Sequence, residues 1–340
     1  MVPGDEVALA GLTVRFKEWL STTTNTLMFR AETRSGTEVT VKTTEASAGR
    51  DLVGNGSEQL AAQAGQLRAT ERILGAASPF PRFVSFDGDT LIQEYARGGV
   101  LTRAALADRH APALELAFDT LLRLSQLSYE HRTAATLRDL DFLTTRLSRL
   151  ADILRHICGA ELSQHIRENA SLSCAIDTAI SWQHDPPIDL GRTLTLCAHG
   201  DFVPQNIVAA PGGGEITFID PRGYVLWEDG VPWWDPVIEL ASFTLFHEIV
   251  PRLSAAADHM TSGEPWASVQ PFHDSATRLG IDVGRAWPNL EQELDYFISA
   301  RIIGFVAVSA FYQASSAFPD ATVLADLLPL SVRRVESPIA

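Results

Sequence analysis

Lysine is nearly missing from this chain. Of its 27 basic residues only two, Lys17 and Lys42, are lysines, and the others are arginines. A compact ammonium does things that a planar guanidinium does not, so each surviving lysine calls for a reason. Positive charge is short overall, because 42 Asp and Glu leave a formal net charge of −15. That balance excludes a general nucleic-acid partner, which needs clustered Lys and Arg, and the densest basic pair near a terminus is Arg333-Arg334. Cysteine is scarce as well: Cys158, Cys174 and Cys197 are too few and too scattered for a disulfide framework or a zinc site. Long apolar runs are missing, since the most apolar stretch, residues 302–311, is about half the roughly 20 residues that a membrane-crossing helix needs. Asp5 and Glu6 stand where a signal peptide would carry positive charge. These absences predict a soluble, cytoplasmic protein with no membrane partner.

What is present is an ordinary globular composition, 46% apolar and 20% charged over 340 residues, enough for one large domain or two modest ones. Residues 27–33 and 38–42 are two β-prone runs around Arg34-Ser35-Gly36-Thr37, a hairpin pattern. An Ala/Gln/Leu-rich helix follows from about Ser57, its expected N-cap, to Leu74, and Pro79-Phe80-Pro81 stops it. Residues 82–86 and 90–95 read as another strand pair around Asp87-Gly88-Asp89. Beyond Gly98-Gly99 the spacing turns helical, as in Leu114, Phe118, Leu121 and Leu122, then Leu140, Leu143, Leu147 and Leu150. A β interruption covers 193–197, 207–209 and 215–219, and helical patterning returns from Pro236. This predicts a β-rich lobe over residues 1–95 and a mostly helical lobe over 96–340.

The β interruption carries His199-Gly200-Asp201, then Asn206, then Ile216-Thr217-Phe218-Ile219-Asp220. Asp201 precedes Asn206 by five residues, and a Gly-rich turn at 211–214 returns an apolar strand that ends on Asp220. Such a hairpin brings Asn206 and Asp220 to the same end of the sheet. Phosphoryl transfer needs this kind of cluster: one carboxylate takes the proton of the attacking hydroxyl, while an amide and a second carboxylate hold magnesium on the phosphates.

The run from His199 to Asn206, followed by a strand ending in Ile219-Asp220, resembles the aminoglycoside phosphotransferase and choline kinase group, which shares the protein-kinase fold. The resemblance covers roughly residues 15–245 and implies an α+β, bilobal protein-kinase-like fold with a small β-rich N-lobe and a larger, mostly helical C-lobe. It implies ATP and Mg2+ as cofactors, Asp201 as catalytic base and Asn206 and Asp220 as metal ligands, with His199 bracing the loop. Lys42, at the end of the second hairpin strand, falls where the family has its phosphate-binding lysine. A helical glutamate should hold that lysine, and spacing favours Glu71 over Glu58. Residues 91–101 resemble the inter-lobe hinge, with backbone groups near Tyr95 and Arg97 for the adenine. The loop covering the nucleotide would run from Ser21 and Thr22 to Asn25, without the glycines of protein kinases. Trp233-Trp234-Asp235-Pro236 opens a segment like the family's Asp-Pro-x-x-Asp-Leu-Ala helix start, with Glu239 in place of the second Asp, and Asp235 is expected to cap that helix. Arg222 is expected either to neutralise phosphate or to brace its loop, and Trp227, Trp233 and Trp234 to serve packing.

The function implied is an ATP-dependent O-phosphotransferase acting on a small hydroxylated molecule. A cationic acceptor such as an aminoglycoside or amino sugar suits the acidity, and Glu228, Asp229, Glu291, Glu293 and Asp295 are the candidate acids. The alternative is a non-catalytic nucleotide-binding regulator on the same fold, against which stands the retention of Lys42, Asp201, Asn206 and Asp220. A protein kinase is disfavoured by the missing Gly-rich loop, His-Arg-Asp, Asp-Phe-Gly and Ala-Pro-Glu elements.

Overall fold

The expected hairpin is the middle of a larger sheet. In the computed structural model, which describes residues 1–22, 26–44, 56–101, 111–127, 135–156, 159–196, 199–212, 214–221, 233–312 and 318–337, the chain forms two units. The first comprises Met1–Thr120, Leu196–Asp201 and Gln205–Trp233, and the second Leu121–Thr195, Phe202–Pro204 and Trp234–Ala340.

In the first unit, β1 (Glu6–Leu9), β2 (Leu12–Thr22), β3 (Thr26–Thr33), β4 (Glu38–Thr44), β5 (Phe83–Phe86) and β6 (Thr90–Glu94) make one sheet. Their order is β1-β2-β3-β4-β6-β5, and every pairing is antiparallel. Side chains alternate along a strand, so Val39 and Val41 of β4 share one face. There they are buried with Val14, Phe16, Phe29, Ala31 and Ile92. Each large side chain fully buried there stabilises the sheet by about 1.5–3 kcal/mol. Thr40 and Lys42 take the opposite face and are buried there too.

Helix α1 (Gly56–Leu74) packs against β4, β5 and β6 and buries Leu60, Ala64 and Leu67, which share one helical stripe. It begins one residue before the expected cap. Ser57 therefore lies in its first turn, where the hydroxyl donates to Asp89 Oδ1 at 2.6 Å.

A second, three-stranded sheet joins β7 (Gly99–Val100), β8 (Ile207–Ala209) and β9 (Ile216–Phe218) in the order β9-β8-β7. Gly98 makes this pairing possible: its φ is +142°, and a Cβ there would lie 2.1 Å from the Ala209 carbonyl oxygen. This hairpin falls in the first unit. Leu101 N–H donates to the Ile207 carbonyl, and Phe218 N–H to that of Pro79, both at 2.8 Å.

α2 (Ala111–Leu127) begins in the first unit and ends in the second. The second unit is otherwise built from α3 (Phe142–Leu154), α4 (Ala160–Glu168), α5 (Ala170–Ser181), α6 (Pro236–Thr244), α7 (Leu253–Ser262), α8 (Val269–Arg278), α9 (Leu290–Phe311) and α10 (Leu328–Glu336), joined by shorter turns. α9 packs against α3, α6 and α10. The apolar stretch 302–311 is only its second half. The whole helix has 22 residues, and with an 18-residue window of mean hydropathy 1.6 it is long and apolar enough to cross a membrane. Its apolar window is 83% buried, and Glu293 and Asp295 are ion-paired to arginines, so it is the core helix of this unit.

Candidate active site

Asp201 emerges from a turn that glycine permits. Gly200 has φ +80°, and Asp201 follows it. His199 is fully buried, its ring stacked on Phe80 at 6.1 Å and edge-on to Phe218 at 6.0 Å. Asp201 N–H donates to His199 Nδ1 at 3.2 Å, so the neutral ring carries its hydrogen on Nε2, which donates to the Ile219 carbonyl at 2.5 Å. One imidazole thus clamps the backbone of Asp201 and of the residue before Asp220. It braces the loop, as expected.

Asn206 directly precedes β8. Its Nδ2 donates to the Asp201 carbonyl at 3.0 Å and to Asp201 Oδ2 at 3.2 Å, and its own carbonyl accepts from Ile219 N–H at 2.8 Å. With both amide hydrogens turned to Asp201, Oδ1 is the atom that Asn206 can present to a cation. The β8-β9 register, Phe218 opposite Ile207, returns Asp220 to the same end of the hairpin. Asp220 has φ +54°, a left-handed conformation costing on the order of 1 kcal/mol outside glycine and concentrated at functional sites.

Lys42 reaches this end from β4. It is 3% exposed, ion-pairs with Asp220, and donates to Gln63 Oε1 at 3.0 Å. The helical partner is therefore Gln63 and not Glu71. Glu71 lies eight residues further along α1, about 12 Å at 1.5 Å per residue, and pairs with Arg82 at 3.5 Å. Glu58 is exposed in the first turn.

The remaining expectations divide. Tyr95 N–H donates to the Glu38 carbonyl at 3.1 Å, and its ring lies 4.5 Å below the Arg30 guanidinium. Arg97 pairs with Glu38 at 3.1 Å and is otherwise exposed. Glu38 is held below the ordinary carboxylate range, first by the hydrogen bond from Arg30. Ser21 and Thr22 end β2. Residues 23–25, Cys197, Arg222, Trp227, Glu228 and Asp229, and the side chains of Trp233 and Trp234, lie outside the described residues.

In the second unit Asp235 caps α6, accepting from Val237 N–H at 2.8 Å, with Pro236 in the first position. Glu239, fully buried on the same helix, accepts from Phe202 N–H at 3.2 Å. Two of the acids proposed for a cationic acceptor have other work. Glu293 and Asp235 share Arg192, and Asp295 accepts from Arg334 Nε at 3.0 Å and from Trp266 at 2.9 Å. Burial works against the charge on Arg192, but Asp235 and Glu293 outweigh it and raise its pKa. Glu293 and Asp295 are themselves pushed above the ordinary carboxylate range by burial, their arginines opposing the shift.

Gln63 and Arg192 carry no motif, so nothing in the spacing marked them; Glu239 was marked by its place after Asp235-Pro236, but its bond to Phe202 was not. As for a metal, no cluster of three or more His, Cys, Asp and Glu suited to one occurs among the described residues. Asn206 and Asp220 instead offer an amide oxygen and one carboxylate. That set fits Mg2+, which completes its shell with water and phosphate oxygens, and does not fit zinc.

No family model matches the chain and no curated protein matches it. Solved structures do. An ethanolamine kinase from Plasmodium vivax aligns with a TM-score of 0.58 at 14% identity, over 94% of this chain and 82% of that one. A choline kinase from Cryptosporidium parvum gives 0.55 at 11% identity, over 94% and 88%. A thermostable mutant of the aminoglycoside phosphotransferase APH(4)-Ia, in a ternary complex with ADP and hygromycin B, gives 0.53 at 17% identity, over 92% and 93%. The fold is the protein-kinase-like fold of these small-molecule phosphotransferases.

Proposed function

We propose that this protein is an ATP- and Mg2+-dependent phosphotransferase that phosphorylates a hydroxyl group of a small molecule. The observation that carries the reading is the convergence at one hairpin end: Asn206 holds the Asp201 carboxylate, and Asp220 returns beside Lys42. Asp201 accepts the proton of the acceptor hydroxyl as its oxygen bonds to the γ-phosphorus and the bond to the ADP oxygen breaks. The Asn206 contact fixes which way that carboxylate points before the acceptor arrives. Lys42 places its ammonium on the α- and β-phosphates. Asn206 Oδ1 and the Asp220 carboxylate would hold magnesium, which when bound spreads the charge on the phosphate oxygens. Because Tyr95 N–H is bonded to Glu38 and Glu94 N–H to Arg82, the purine edge falls to backbone groups on the Arg97 side.

The acceptor class proposed is a small hydroxylated amine, an aminoglycoside or amino sugar, in keeping with the net charge of −15. Glu293 and Asp295 are committed to arginines and are not the acids proposed to meet it. ADP release with ATP and Mg2+ across aminoglycosides, amino sugars, nucleosides and amino alcohols tests the reading. Asp201→Asn should lower turnover of the best acceptor about 10²–10⁴-fold, the range for losing a positioned general base. Parent-like turnover would remove Asp201 from the role. ATP binding with no transfer to any acceptor would leave a nucleotide-binding regulator.

A further inference from the structure

Buried ammonium groups need a counter-charge nearby, and what supplies it decides how else that counter-charge can be used. Lys42 is buried to within 3% of its surface, and its two partners are unequal: Gln63 offers a neutral amide oxygen, and Asp220 a full negative charge. Among the described residues Asp220 is the only carboxylate that ion-pairs with Lys42. The α1 residue facing the lysine is thus uncharged, and the acidic residues of α1 lie elsewhere, Glu58 in the first turn and Glu71 on Arg82.

We infer that Gln63 is a positioning residue that makes Asp220 the counter-ion of Lys42, so that a divalent cation is taken up at Asp220 together with the nucleotide and not ahead of it. This rests on the phosphotransferase reading for the identity of the nucleotide site, but the charge argument is separate from it. A divalent cation arriving alone would share one carboxylate with an ammonium already seated there, and the two positive charges repel at short range in a poorly hydrated site. A polyphosphate resolves the conflict, because it brings the negative charge that lets Lys42 move its ammonium to phosphate oxygens and leave Asp220 to the metal. A carboxylate at position 63 would neutralise Lys42 from the helix side and free Asp220 in advance.

Mn2+ serves as the probe, its free concentration followed by electron paramagnetic resonance while the full chain is titrated. In the wild-type protein Mn2+ should bind weakly alone and about tenfold or more tightly with ADP present, beyond the Mn2+ that the same ADP holds in a protein-free titration. Gln63→Glu should tighten nucleotide-free Mn2+ binding about tenfold or more. Lys42→Met should do the same without adding any carboxylate, which separates release of Asp220 from creation of a new ligand. Asp220→Asn should abolish the gain in both backgrounds. A loss of structure would weaken Mn2+ binding, so tightening cannot come from misfolding, and circular dichroism selects the variants that are folded. The inference is overturned if the folded variants bind Mn2+ no more tightly than wild type, or if ADP adds nothing to wild-type Mn2+ binding once the Mn2+ held by ADP alone is subtracted. Failure of the phosphotransferase reading would look different: Mn2+ would respond as stated while no acceptor is phosphorylated.

Discussion

His199→Ala separates a brace from a catalyst. The imidazole is fully buried, accepts from Asp201 N–H, donates to the Ile219 carbonyl and packs against Phe80 and Phe218. Two hydrogen bonds at a net of about 0.5–1.5 kcal/mol each account for about 2 kcal/mol. Removing a buried ring and leaving a cavity between two phenylalanines adds about 2–3 kcal/mol, at or just below the low end of aromatic-to-alanine changes because the imidazole is smaller than a phenyl ring. The expected loss is therefore about 4–5 kcal/mol, at the extreme end for one substitution. Urea unfolding, followed by tryptophan fluorescence, reads it as a lower midpoint at unchanged slope. Phosphate transfer should fall as well, because the backbone of Asp201 and of the residue before Asp220 is released together. If transfer vanished while stability stayed within about 0.5 kcal/mol of the parent, His199 would be acting in the chemistry and the clamp would be a misreading.

Two further outcomes follow from the same structure. Gly98→Ala should cost about 3 kcal/mol or more, since it combines a positive φ with a Cβ 2.1 Å from a backbone oxygen, and an alanine tolerated in urea unfolding would refute the β7-β8 pairing. Glu293→Gln tests the buried carboxylate. Because burial raises the Glu293 pKa, folding favours its protonated form; that stability is full below the ordinary value of 4.5 and is lost as pH rises through the folded-state value. The glutamine carries no such dependence, so the melting temperature of wild type should fall relative to the variant as pH rises above about 4.5, and a gap moving the other way would place the charge elsewhere.

Much of the fold was legible because its signals are local. Arg34-Ser35-Gly36-Thr37 is turn chemistry between two β-prone runs, and β3 and β4 form around it. Asp235-Pro236 is a cap followed by a residue pre-set for the first helical position, and α6 starts there. The unit boundary was not local. Residues 99–101 and 207–218 are far apart in sequence, and only the β7-β8 pairing and the Phe218–Pro79 hydrogen bond tie the hairpin to earlier residues of the first unit. α9 was under-read for the opposite reason. Glu293 and Asp295 interrupt its apolar run, and only their arginines, Arg192 and Arg334, show why a core helix tolerates them.

The same division runs through the site. Asp201, Asn206 and Asp220 sit within one turn and one hairpin, so spacing alone places them at a common end, and the structure brings them there. Lys42 comes from a distant strand, yet its rarity in an arginine-rich chain singled it out, and it pairs with Asp220. Its helical partner failed the same treatment. Choosing Glu71 assumed that the partner is a carboxylate, which limited the choice to two residues at the wrong heights on α1. The register of a helix on a sheet is fixed by what it buries, here Leu60, Ala64 and Leu67, and that stripe sets the middle of α1 against the strands. The residue there that meets Lys42 is Gln63. A neutral amide at that height is a departure that a motif cannot announce, and it moves the burden of neutralising Lys42 from the helix to the carboxylate that a metal would use.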